Sequence, residues 1–322
     1  MKCRLLTTFE PWWPDMVAMT VKGRPLEIGI VDLFDGSPER DAEFIRSFAQ
    51  TAEDLGFAGI WLPEHILFFD QYESEYPYPS APSAADPTRS EVHNATVDGK
   101  PRVEVSDDQG LLDLFQTAVQ VSRATTRIRF GSSVLLLPLR NPAMISRELL
   151  TVGELTGDRF DLGVGVGWSS EEIEACETDF ASRGRRNEDM MVDLRSRWSQ
   201  DAAERPGTVR ATPRMLVGGH SPAAIRRAAQ VGDGWYPWNL TLPQFAEHHA
   251  TYARKVAGSG RDLADQHVIA GLRFSGNLEA LPAVVEGYAR LGADGVNVSL
   301  RTDARSYDET LATASRILEL AA

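Results

Sequence analysis

Short apolar runs alternate with stretches of helical spacing along most of the chain. Residues 27–33 (Glu-Ile-Gly-Ile-Val-Asp-Leu) read as a buried strand. Residues 39–56 then carry Phe44, Ile45, Phe48, Ala52 and Leu55 at helical spacing, with Gly56 as a C-terminal stop. A second apolar run at 58–62 completes a strand–helix–strand unit of the kind that builds parallel sheets. The order then repeats. Strands are predicted at 128–137, 160–166, 215–218, 234–238, 268–274 and 295–300, and helices at 110–125, 142–156, 182–198, 222–231, 243–257, 279–291 and 307–320. Eight strands alternating with helices favour a closed α/β barrel, a single (β/α)8 domain over residues 25–322, above an open doubly wound sheet. Residues 1–24 fit neither strand nor helix and read as an N-terminal arm.

One segment breaks the rhythm. Residues 66–109 separate the second strand from its helix and hold Tyr72, Tyr76, Tyr78 and prolines at 77, 79 and 82. Connections this long are usually functional or disordered, and this one leaves the strand end where barrels keep their active sites, so it is expected to cover a substrate.

Composition narrows the partners. The 322 residues are 43% hydrophobic and 25% charged, ordinary for a globular chain able to bury a core without disulfides or metals. The net charge of −13, from 33 basic and 46 acidic residues, argues against nucleic acid and against anionic membranes. No run approaches the ~18 apolar residues of a membrane span, and the N-terminal stretch lacks a signal-peptide core. Two cysteines, Cys3 and Cys176, give no disulfide framework, so a reducing, cytoplasmic location is expected.

Several residues could carry chemistry. His65 ends the second strand directly after Glu64, where a histidine can donate to a ring nitrogen or shuttle a proton. Gly163, Gly165 and Gly167 share one face of the fourth strand. They either leave a smooth wall for a flat ring or permit close packing inside the barrel. Gly218-Gly219-His220-Ser221-Pro222 joins the fifth strand to its helix; Ser221 suits the N-cap and Pro222 the first helical position. That turn reads as a phosphate cradle or as a capped turn without a ligand. Small residues around Ser133 and Val134 leave room in the third strand, Trp168 could wall a pocket, and Arg183 to Arg186 read as a solvated helix start. His248 and His249 are neighbours on a helix, about 100° apart, and do not form a metal pair. No hydrolytic triad, P-loop or zinc signature is present.

Taken together, "GSSVLLLPLRNP", "GDRFDLGVGVGWSSEEIEA" and "MLVGGHSPAAIRRAAQVGDGW" resemble the luciferase-like monooxygenase superfamily, in its deazaflavin-dependent oxidoreductase branch. The resemblance implies a luciferase-like (β/α)8 barrel that binds coenzyme F420, or alternatively FMN, and moves a hydride to or from a small organic substrate. It places His65 beside the cofactor ring and makes Ser133-Val134 a cis-peptide bulge behind it. By the same resemblance Gly165, Gly167 and Trp168 form the wall near ring and substrate, and Gly218, Gly219, His220 and Ser221 lie around the phosphate turn. It also implies a homodimer. Two departures matter. Sugar-phosphate dehydrogenases of this family carry an acidic glutamate near the position of Trp168, and tryptophan cannot supply that proton. Residues 200–214 are shorter than in relatives, which keeps a non-catalytic flavin-binding paralogue, beside an FMN-dependent monooxygenase, among the alternatives.

Overall fold

The alternation of apolar runs and amphipathic stretches is realised as a closed parallel barrel. The computed structural model describes residues 20–31, 41–69, 72–74, 111–205, 212–274 and 278–300, with Ala312 and Arg316. The strands are β1 (Glu27–Val31), β2 (Gly59–Leu62), β3 (Arg129–Ser132, resumed at Leu135–Leu136), β4 (Phe160–Gly165), β5 (Arg214–Gly218), β6 (Gly234–Tyr236), β7 (His267–Phe274) and β8 (Gly295–Leu300). All neighbours run parallel. β8 pairs with β1, and β3 pairs with both β2 and β4, so the ring has no edge among these strands.

The helices are α1 (Ala42–Leu55), α2 (Leu114–Ala124), α3 (Pro142–Thr156), α4 (Ser170–Ala175), α5 (Arg183–Glu204), α6 (Pro222–Gln230), α7 (Leu242–Gly258) and α8 (Leu281–Arg290). Local chemistry sets their ends. Asp41 caps α1 by accepting from Glu43 and Phe44, and Gly56 closes it at φ 98°. Asn141 and Pro142 start α3, and Thr241 with Gln244 forms a capping box on α7. The helices bury one face against the outside of the sheet. Phe48, Leu149, Leu194 and Phe245 are fully buried there, each worth ~1.5–3 kcal/mol of burial.

Several expectations change. The third strand is interrupted at Ser133–Val134 and ends in a 3-10 turn at Leu137–Leu139. α4 was not read from the pattern, and α5 runs on to Glu204. The end of the N-terminal arm is structured: Thr20–Val21 pairs antiparallel with Arg24–Pro25 across Lys22-Gly23, both at positive φ as a two-residue hairpin turn needs. Lys22 donates to the Gln266 carbonyl at 2.9 Å and pairs with Asp294 at 2.8 Å, which ties the hairpin to the lower rim. The predicted helix at 307–320, apart from Ala312 and Arg316, and most of the 66–109 and 206–211 segments lie outside the described residues.

The N-terminal end of the barrel has a charged floor, because first or second residues of five strands point inward. Asp161 is 1% exposed and receives Nε and Nη2 from each of Arg129 and Arg214, all at 2.8 Å. His267 lies 3.2 Å from Glu27 beside them. Outside the barrel, Glu53 of α1 accepts the N–H groups of Thr126, Arg127 and Ile128, pinning the turn that leads into β3. Burial works to raise its pKa, but those N–H donors prevail and hold it at about 2 instead of the ordinary 4.5. A depressed carboxylate supplies stability above its unfolded pKa and loses it as pH falls. Glu53→Gln is therefore expected to unfold more easily than wild type at neutral pH, with the gap closing between pH 4.5 and about 2. Urea melts across that range check it.

Candidate active site

At the opposite, C-terminal mouth, the dipeptide after β2 sends its two side chains to different partners. The Glu64 side chain is 8% exposed; it accepts the Leu136 N–H at 2.8 Å and pairs with Arg140. Burial pushes its pKa up, opposed by Arg140. Arg186 donates to the carbonyls of Pro138 at 2.7 Å and Arg140 at 3.0 Å. The stretch expected to be a solvated helix start is thus partly structural: Arg183 also donates to the Gly167 carbonyl at 3.1 Å, while Arg185 stays in solvent.

His65 turns to α4. Its Nδ1 lies 2.7 Å from Glu172 Oε2, and Glu172 Oε1 accepts the N–H groups of Ile66 at 2.6 Å and Leu67 at 3.3 Å. Ser169 caps α4 by accepting from the Glu172 N–H at 3.1 Å. Ser169 and Glu172 have the spacing of a capping box, yet the Glu172 carboxylate is spent across the mouth on His65 and its two followers. Glu171 does the same one step out, accepting from Glu73 at 2.5 Å and Ser74 at 2.9 Å. Burial would raise its pKa; N–H and hydroxyl donors bring it down to about 2. The segment after β2 is therefore fastened to the start of α4 at both described ends.

Aromatic rings line this side. Trp168 stands edge-on to His65 at 6.3 Å and packs on Tyr72 at 5.0 Å, and Phe68 lies 5.5 Å from His65. Ile66 and Leu67 remain exposed next to them.

The Ser133–Val134 peptide is cis, as the resemblance implied. Ser133 Oγ lies 2.9 Å from the Tyr236 hydroxyl, and the Val134 side chain fills the space that side chains at Gly165 and Gly218 would take, 2.3 and 3.0 Å from their notional Cβ atoms. A Cβ on Gly163 would sit 2.0 Å from the Ser132 carbonyl oxygen. Close packing thus accounts for Gly163 and Gly165, and Val134 presents the surface there. Gly167 turns the chain out of β4 at φ 77°. Below, Trp61 and Tyr236 stack at 5.2 Å inside the barrel, with Gly131 leaving room for the indole.

The β5–α6 turn has the predicted form. Gly219 adopts φ 91°, its N–H donates to the Tyr236 carbonyl at 3.1 Å, and Trp235 Nε1 donates to its carbonyl at 2.7 Å. Ser221 caps α6 by accepting from Ala224 at 3.2 Å. Burial lowers the His220 pKa, and His248, 5.5 Å away ring to ring, adds to the effect. Burial and His248 thus both disfavour a charge on His220, and an anion here would be met by the helix end.

The structure brings His65 together with Trp168, and Val134 together with Gly165 and Gly218, while Ser133 meets Tyr236. Glu172 and Tyr236 are additions that the sequence pattern did not single out. Only Glu172 left a usable sign, the capping-box spacing from Ser169.

Residues 99–290, more than half of the chain, match the model of the luciferase-like monooxygenase family. The chain belongs to that family. An uncharacterized protein of Mycobacterium tuberculosis is 31% identical over 207 residues, which span 61% of this chain and 65% of the relative. A phthiodiolone/phenolphthiodiolone dimycocerosates ketoreductase of the same species is 25% identical over 193 residues, 53% of this chain and 50% of its own length. In fold, this luciferase-like chain is similar to the monooxygenase RslO1 of Streptomyces bottropensis, with a TM-score of 0.67 and 16% identity over 91% of this chain and 98% of that one. It is also similar to an F420-dependent secondary alcohol dehydrogenase, with a TM-score of 0.63 and 12% identity over 94% and 98%. Among the described residues no cluster of three or more His, Cys, Asp or Glu could hold a metal, and no helix is long and apolar enough to cross a membrane.

Proposed function

We propose that this luciferase-like chain is an F420-dependent oxidoreductase that moves a hydride between the deazaflavin and a small, largely apolar organic substrate. The observation that carries the reading is His65 fixed by the buried Glu172 at the C-terminal mouth, beside Trp168. The residues fit such a cofactor. The start of α6, opened by Gly218 and Gly219, suits a phosphate, and Ser133, Val134 and His65 would meet the ring end. When bound, the cofactor supplies the two-electron chemistry. The chain's own residues orient it, exclude water with the aromatic wall, and present one imidazole nitrogen. Trp168 brings no acid to the mouth, which argues against a sugar phosphate; Ile66, Leu67 and Phe68 suit an apolar molecule. The ketoreductase relative and the F420-dependent dehydrogenase support hydride exchange with a carbonyl or alcohol. The likeness to a monooxygenase supports the second reading, oxygen use with FMN.

Fluorescence titration with F420 and FMN, oxidised and reduced, tests the choice. Tight F420 binding with FMN ignored is the expected result. FMN preference moves the assignment to the monooxygenase, and binding of neither removes the proposal.

A further inference from the structure

We infer that Glu172 is the positioning residue that fixes the tautomer of His65. This rests on the reading above only in taking the mouth as the site of reaction. The carboxylate has two oxygens and three donors. Oε1 is committed to the backbone N–H groups of Ile66 and Leu67, which can only donate. Oε2 is 2.7 Å from His65 Nδ1, and an ionised carboxylate can only accept, so Nδ1 carries the proton. Nδ1–H then leaves Nε2 of the neutral ring as a bare lone pair. Among the described residues no hydrogen bond is made to Nε2, and the side chain is 18% exposed at the mouth. His65 thus meets the reacting molecule as a proton acceptor, and donates only after taking a proton there. Among the described residues the neighbouring carboxylates are engaged elsewhere: Glu64 faces Arg140, and Glu171 faces the amides of Glu73 and Ser74.

The isosteric amide separates this role from mere packing. In Glu172→Gln one oxygen becomes NH2. Two fixed backbone donors claim the remaining oxygen, so the NH2 faces Nδ1 and forces it to accept. The ring must then carry its proton on Nε2.

The test is long-range proton–nitrogen NMR on protein labelled with 15N-histidine, without cofactor and at about pH 8, above the ordinary histidine pKa. His65→Gln assigns the signal among the six histidines. The expected spectrum shows His65 protonated at Nδ1 in wild type and at Nε2 in Glu172→Gln. Turnover with the cofactor that binds should fall at least tenfold in kcat in the variant, with the cofactor Kd changed less than threefold. A wild-type His65 protonated at Nε2 overturns the inference, as does a tautomer unchanged by Glu172→Gln. If the variant fails to fold, the wild-type spectrum decides alone. Because the spectrum needs no cofactor, a failure of the F420 reading leaves it unaffected.

Discussion

Asp161→Ala is expected to lower the unfolding free energy by about 3 kcal/mol. The side chain is 1% exposed and accepts four charge-assisted hydrogen bonds, two from each of Arg129 and Arg214. Truncation leaves two guanidinium groups facing each other across the barrel floor with no anion between them. The low end of the range for breaking a buried pair applies, because the arginines are 30% and 32% exposed and water can reach them. The sign of the pH dependence follows. Burial would raise the Asp161 pKa, but the bonds from Arg214 and Arg129 hold it below the ordinary carboxylate value, and Glu27 beside it is likewise lowered through His267. Their stability is complete above the carboxylate range and is lost as pH falls, so wild type and variant should converge in acid. Urea unfolding at neutral and acid pH reads both effects. A neutral-pH change below about 1 kcal/mol would show that Glu27 takes over as the counter-charge, and that breaking this cluster falls short of the buried-pair cost.

The second large effect is expected at the mouth. Gly163→Ala should destabilise the chain by about 3 kcal/mol, the upper end for overpacking, and weaken cofactor binding at least tenfold. The added methyl would meet the Ser132 carbonyl oxygen at 2.0 Å, and backbone cannot swing aside as a side-chain tip can. Relief requires β3 to move away from β4, which carries Ser133 off the Tyr236 hydroxyl and Val134 out of its seat over Gly165 and Gly218. Thermal melts and cofactor titration on the same sample check it; unchanged affinity in a folded variant would remove Ser133 and Val134 from the binding surface.

The barrel was legible because its signals are local. Capped, periodic helices such as Pro142–Thr156 announce both ends, and apolar runs such as Phe160–Gly165 announce buried strands. α4 escaped because six residues are too few to show a period. The Lys22-Gly23 hairpin escaped because lysine is not a residue that signals positive φ. At the site, His65 and the Gly218–Ser221 turn could be named from their place after a strand. Glu172 could not be matched to His65, because 107 residues separate them and only barrel closure brings β2 and β4 to one rim. The glycines of β4 left two readings open for a related reason. Sequence shows the missing side chains; which neighbour fills the gap, here Val134, depends on how β3 lies against them.

The stacked Trp61 and Tyr236, above a floor of paired charges, give the barrel a blind end. A ligand held at the C-terminal mouth would therefore enter and leave from that side alone, because packed side chains close the way through the barrel.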